Sequence, residues 1–283
     1  MKTVAIQGGA GAYHEIAARA YFKSRGEEIE ILPCARFKDV ITEVKRVPGR
    51  VGIMAIENTI AGSLLQNHEL IRASDLVVVG EQKTRVTHCL AALPGQSLDD
   101  IVEVHSHPIA LMQCADYLDA LTRVKVVEEE DTALSARFIA EHRLAGHAAI
   151  CSRHAATLYG LDALDEGIET NKRNFTRFLL LANREMAAAM TRGEGTSKAS
   201  IVFTLPHAEG SLSRVLTIFS FYDVNLTKIQ SLPIIGRAWE YLFYVDLTFK
   251  DPVKYRQGVD ATRPLTSEFK ILGEYAACHE DAI

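Results

Sequence analysis

The sequence predicts an α/β protein in two parts. A first region holds mostly parallel sheets in two lobes separated by a cleft, and a smaller β-α-β-β-α-β module follows. Three observations carry this. Over residues 1–182, short apolar runs alternate with stretches of helical period, as strands buried on both faces by helices require. These strands are too many for one small sheet, which implies two lobes. From 183 to 197 the chain turns small, polar and glycine-bearing, a linker, and beyond it the strands alternate apolar with polar residues.

The apolar runs at 3–6, 29–33, 51–56, 76–79, 86–92, 101–104, 124–127, 148–151 and 177–182 are candidate strands. Between them Phe37, Val40, Ile41 and Val44 recur at i, i+3, i+4 and i+7, as do Leu111, Cys114, Ala115 and Leu118, the spacing of one helix face. After the linker, Ile201, Phe203 and Leu205 alternate as in a half-buried strand. Leu212, Val215, Leu216 and Phe219 mark a helix, and 225–231 and 241–247 read as strands. A helix over 253–265 and a strand at 269–272 complete the ferredoxin-like order.

With 283 residues, 48% hydrophobic content and a formal net charge of −5, the chain has the make-up of a soluble globular protein and not of a general nucleic-acid binder. No run of about 18 apolar residues could span a bilayer. The four or five apolar residues at the start are too few for a signal-peptide core and no small-residue cleavage site follows, so no secretory signal is expected. Five scattered cysteines without a Cys-x-x-Cys pair suit a reducing compartment, so the expected location is the cytoplasm.

Several polar islands interrupt the apolar pattern. Gly8-Gly9-Ala10-Gly11-Ala12-Tyr13 follows the first strand and opens a helix. It reads as a carboxylate or small-anion site or as a plain tight turn, because His14 spoils the dinucleotide fingerprint. Glu57-Asn58-Thr59 ends a strand at its carboxyl end, where α/β sheets place ligands, although Asn58 or Thr59 could equally cap the next helix. Ser106 with Pro108 could be a ligand donor or an N-cap, and Gln113 lies on the helix that follows. His105 and His107 have no Cys, Asp or Glu at helpful ligand spacing, so no metal centre is expected. Asn174-Phe175-Thr176-Arg177-Phe178 is the most telling island, since a strand that only packs has no use for an amide, a hydroxyl and a guanidinium at its mouth. Lys172 and Arg173 beside it read as a solvated loop. In the C-terminal module, the amides of Gly210-Ser211-Leu212 could take a carboxylate and Asn225 an ammonium group, or the glycine and serine could simply start a helix.

Taken in order, these islands, with Leu158-Tyr159-Gly160-Leu161 and Asn225-Leu226-Thr227-Lys228-Ile229, resemble the prephenate dehydratase family along essentially the whole chain. The resemblance implies a catalytic domain over 1–182, similar to type II periplasmic binding proteins. Its first lobe would take about 1–80 and 160–182, its second about 81–159. A linker at 183–197 and an ACT regulatory domain over 198–283 follow. It implies loss of carbon dioxide and water from prephenate to give phenylpyruvate, on the route to L-phenylalanine, with no cofactor. It further implies a homodimer or homotetramer that binds L-phenylalanine as effector between ACT domains.

By the same resemblance Thr176 assists the departing hydroxyl and Arg177 anchors a carboxylate, while Asn58, Ser106 and Gln113 line the site and Glu57 orients the network. Asn174, Phe178, Thr59, His107 and Gly11 would touch substrate, and Gly210, Ser211, Leu212 and Asn225 the effector. An arogenate dehydratase and a non-catalytic amino-acid sensor are the rival readings. Two departures stand out: Gly9 where the family carries proline, and Gln230-Ser231-Leu232-Pro233 where it carries Glu-Ser-Arg-Pro.

Overall fold

The computed structural model describes residues 1–192, 195–234, 236–237 and 240–278; Gly193 and Glu194 of the expected linker and the last five residues lie outside them. Strands β1 (Lys2–Gln7), β2 (Ile29–Cys34), β3 (Val51–Asn58), β4 (Gly62–Ser63) and β5 (Val77–Arg85) interleave with helices α1 (Tyr13–Lys23), α2 (Phe37–Arg46) and α3 (Leu65–Ala73). Next come β6 (Cys89–Ala92), β7 (Glu103–Ser106), β8 (Lys125–Glu128), β9 (His147–Cys151) and β10 (Asp162–Glu166), with α4 (Pro108–Gln113), α5 (Ala115–Ala120), α6 (Thr132–His142) and α7 (Arg153–Leu158). Strand β11 (Phe175–Ala182) and α8 (Arg184–Met190) lead into β12 (Lys198–Thr204), α9 (Ser211–Phe221), β13 (Asn225–Pro233), β14 (Tyr241–Thr248), α10 (Pro252–Thr262) and β15 (Glu268–Tyr275).

Three sheets result. The first has the order β2-β1-β3-β11-β5 with β4 beside β3, the second β10-β6-β9-β7-β8, and the third β13-β14-β12-β15. Neither of the first two is mostly parallel, contrary to expectation. Strand β11 runs antiparallel to both β3 and β5, and β6 antiparallel to β9 and β10. A continuous apolar run reports burial on both faces, not direction.

The division between lobes also differs from the expected one. Strand β5 keeps the first sheet going to Arg85, and β10 pairs with β6, so 162–166 belongs to the second lobe and only β11 returns. Asp-Ala-Leu-Asp-Glu is a polar edge strand, invisible to a search for apolar runs.

One face of the first sheet packs Ile6, Ile53, Phe178 and Leu180 under α1, through Ala17, Tyr21 and Phe22. The opposite face packs Met54, Ile56, Leu179 and Leu181 with α2, α3 and the third sheet, whose Val202, Leu242, Tyr244, Leu272 and Tyr275 join the same core. The backbones come so close that a Cβ on Gly273 would lie 2.0 Å from the Val78 carbonyl oxygen. The C-terminal module is thus seated on the back of the first sheet.

A β-bulge decides which side chains reach the front. Arg177 pairs with Glu57 but Phe178 with Ala55, leaving Ile56 as the extra residue on β3. Ile56 and Glu57 therefore both face the back, and Asn58 turns to the front alongside Ala55.

Candidate active site

A cleft of about 270 Å³ opens between the first two sheets. The first lobe contributes Gln7, Tyr13, His14, Phe37, Asn58, Thr176 and Phe178, and the second His88, His107, Gln113, Asp131 and Thr132.

Asn58 is its hub. The side-chain oxygen accepts from the Ile60 and Ala61 amides at 2.9 and 2.8 Å and, more weakly, from Gln113 Nε2 at 3.4 Å. Its Nδ2 donates to Asn174 Oδ1 at 2.8 Å and to Thr176 Oγ1 at 3.0 Å. Two backbone donors on Oδ1 fix the amide's orientation, so Thr176 is held as an acceptor. Among the described residues nothing takes the proton of the Thr176 hydroxyl, which remains available to a molecule in the cleft.

The network continues into the second lobe. Gln113 Oε1 lies 2.9 Å from His88 Nε2, and His88 Nδ1 3.1 Å from the Tyr13 hydroxyl. Burial pushes the His88 pKa down, which favours the neutral ring. Nε2 donates to Gln113, while the single proton of the Tyr13 hydroxyl goes to the Thr87 carbonyl at 2.6 Å, leaving the longer Tyr13–His88 approach as a contact between the two side chains. Tyr13 and His88 were missed as site residues; Tyr13 stood in the glycine motif, whereas nothing around His88 in the sequence marked it.

His14 is also neutral. Its Nε2 accepts from the Ala55 amide at 3.2 Å, its ring sits edge-on to Phe178 at 5.0 Å, and burial lowers its pKa to about 3. His107 caps α4 by accepting from the Ile109 amide, and burial lowers its pKa as well. Asp131 accepts from the Ala133 and Leu134 amides at 2.9 Å each, and burial raises its carboxyl above the ordinary range. No lysine or arginine is among the lining residues.

Of the residues expected at the site, the structure brings Thr176, Asn58, Gln113, His107 and Phe178 to the cleft and turns others away. Arg177 points to the back of β11, because successive strand residues face opposite ways. There its Nε donates to Glu81 at 2.7 Å, and its other nitrogens to Asp246 at 2.5 Å and to the Tyr275 hydroxyl at 3.2 Å. It is spent on holding the C-terminal module and cannot anchor a ligand in the cleft. Glu57, turned back by the bulge, pairs with Lys228 at 2.8 Å.

Ser106, still inside β7, is fully buried and donates to the Ile150 carbonyl. Thr59 staples the start of β11, donating to the Arg173 carbonyl and accepting from the Phe175 amide. Asn174 is fully buried behind Asn58. The Gly11 amide is taken by Glu15 at 2.7 Å and its carbonyl by Ser152, so it binds the two lobes to each other and not a ligand. In the C-terminal module Ser211 and Leu212 line one depression and Asn225 another, so a single chain does not bring them together.

Fold and cleft define an α/β protein with a small pocket between two sheets, into which an oriented hydroxyl points. The family model for prephenate dehydratase matches residues 4–186, and the chain belongs to that family. It is 36% identical to a chloroplastic arogenate dehydratase of Arabidopsis thaliana over 291 residues, covering 96% of this chain and 67% of the relative. A prephenate dehydratase from Arthrobacter aurescens, solved in complex with L-Phe, is 26% identical with a TM-score of 0.85, covering 99% of this chain and 91% of that one. A structure described as a novel type of quorum quenching acylase, GqqA, is 30% identical with a TM-score of 0.84, covering 98% of each chain.

Proposed function

We propose that this protein converts prephenate to phenylpyruvate, with Thr176 donating its hydroxyl proton as a hydrogen bond to the oxygen that leaves. The observation that carries the reading is the Asn58–Thr176 contact, which presents that proton to the cleft. As the ring carboxylate departs as carbon dioxide, its bonding electrons shift through the ring and expel hydroxide, and the ring becomes aromatic. Charge builds on the leaving oxygen, so a donor aimed there acts most strongly in the transition state.

Among the described residues no lysine or arginine lines the wall, which supports the same chemistry, because a carboxylate without a counter-ion gains by leaving as neutral carbon dioxide. The side-chain carboxylate has a separate partner at the α1 N-terminus. That end carries no side-chain cap, and the Tyr13 and His14 amides have no acceptor among the described residues. We assign the proton for the departing hydroxide to Asp131, a half-buried acid that lines the cleft, since Glu57 faces away.

The acylase reading is weaker here: among the described residues no serine or cysteine lines the cleft, and Thr176 has an amide beside it where a nucleophile needs a base. The C-terminal module is read as an ACT domain that binds L-phenylalanine. Its expected effector groups lie apart in one chain, which favours a pocket shared between two copies in a dimer or tetramer. No helix among the described residues is long and apolar enough to cross a membrane. Purified protein given prephenate or arogenate in separate assays, and tested for quorum-quenching acylase activity in a third, tests the reading. Phenylpyruvate from prephenate is expected, and product only from either alternative would overturn it.

A further inference from the structure

We infer that the second lobe carries a binding site for a transition-metal ion of the Zn²⁺ type, formed by Glu103, His105 and His147. The sequence suggested His105 and His107 as a pair, but β7 ends between them and His107 turns to the cleft. Strand pairing supplies different partners. Glu103 and His105 share one face of β7, and β9 sets His147 directly opposite Glu103.

The geometry matches a metal triangle. His105 Nε2 lies 3.0 Å from His147 Nδ1 and 3.4 Å from Glu103 Oε2, and His147 Nδ1 lies 3.7 Å from the same oxygen. Tetrahedral zinc with bonds of about 2.0–2.1 Å to nitrogen and oxygen needs ligand atoms about 3.3–3.4 Å apart. The three edges straddle that length, so an ion enters with shifts of a few tenths of an ångström. Two nitrogens and one carboxylate leave a fourth position for water, and Glu103 and His147 are only half covered.

Outer partners are in place too. Glu129 lies 3.3 Å from His105 Nδ1, which fixes the proton there and turns the Nε2 lone pair toward the centre. Lys125 holds Glu103 Oε1 at 3.0 Å and leaves Oε2 free to ligate. An ion would clamp β7 to β9 one residue before Ser106 and two before His107, stiffening the strand end that delivers His107 to the cleft. The site lies outside the catalytic cleft and would serve as a structural tie.

The test uses the full-length protein, stripped with a chelator and titrated with Zn²⁺ against a chromophoric competitor, with Co²⁺ as a spectroscopic probe. One equivalent per chain is expected, with tetrahedral d–d bands for Co²⁺ and a Zn²⁺-dependent rise in melting temperature. His147→Ala, at the half-exposed corner, should weaken binding at least about 100-fold while the apo protein stays folded. His142→Ala, a nearby exposed histidine, should change nothing. Binding that survives His147→Ala and Glu103→Gln, or none in the micromolar range for the parent, would overturn the assignment.

Discussion

Replacing Arg177 by methionine separates two accounts of this residue. In the sequence it looks like a carboxylate anchor; in the structure it ties the catalytic sheet to the C-terminal module. Its cluster is balanced, with Arg177 and Lys198 facing Glu81 and Asp246. Burial pushes the Asp246 carboxyl up, and Arg177, helped by Ser200 and Lys198, more than reverses that and lowers it from its ordinary value. Glu81 is held low in the same way by Arg177 and Lys198. Without the guanidinium, two buried carboxylates face one ammonium. Removing one partner from a buried pair costs about 3–5 kcal/mol, and a loss of that size is expected in urea unfolding of Arg177→Met.

Adding Asp246→Asn removes one charge of each sign and restores the balance, so the double variant should recover most of the loss. Under conditions where both variants are folded, KM for prephenate should change less than about threefold. A carboxylate anchor removed from a cleft would instead raise KM by two orders of magnitude or more, in line with about 3 kcal/mol for a charge-assisted bond. A single variant that loses less than about 1 kcal/mol, or a double no better than the single, would refute the reasoning.

His14 should make stability depend on pH. Its pKa falls from the ordinary 6.5 to about 3, so the unfolded chain binds the extra proton between these values and stability declines as pH drops below 6.5. By pH 4 the loss from this residue is roughly 3 kcal/mol, at about 1.4 kcal/mol per unit. His14→Gln, whose oxygen can still accept from Ala55, should flatten the acid limb of a urea-midpoint profile; an unchanged slope would exclude His14. Gly11→Ala should destabilise by more than about 1 kcal/mol, because φ is +90° and the new Cβ would meet Ala155 Cα at 2.8 Å. Denaturant melts check this, and an alanine tolerated without loss would contradict the close approach of the lobes. Asp131→Asn should lower turnover and remove the acid-side inflection of the rate profile, and an unaltered profile would assign the proton to another group.

Much of the fold was legible because burial writes itself as apolar runs. The strands at 3–6, 51–56 and 148–151 carry buried apolar residues and were readable chiefly from Val, Ile and Ala. What escaped was polar: the edge strand β10 and the Gly80–Arg85 half of β5. At the site, Asn58, Gln113 and Thr176 stood out because amides and hydroxyls at strand mouths need partners. Separating Thr176 from Arg177 required only the two-residue period of a strand. That Asn58 and not Glu57 faces the cleft did not follow from any local rule, since the bulge at Ile56 shifts the alternation by one residue. The pairing of Arg177 with Asp246, 69 residues away, lay beyond any local pattern.

The central claim is that the Thr176 hydroxyl acts on the leaving oxygen and not on the bound ground state. Steady-state kinetics of Thr176→Val on prephenate tests it most directly, because the swap keeps the shape and removes only the proton. The expected result is a kcat lower by about 100- to 1,000-fold with KM nearly unchanged. Turnover at the parent's rate, or a loss confined to KM, would contradict it.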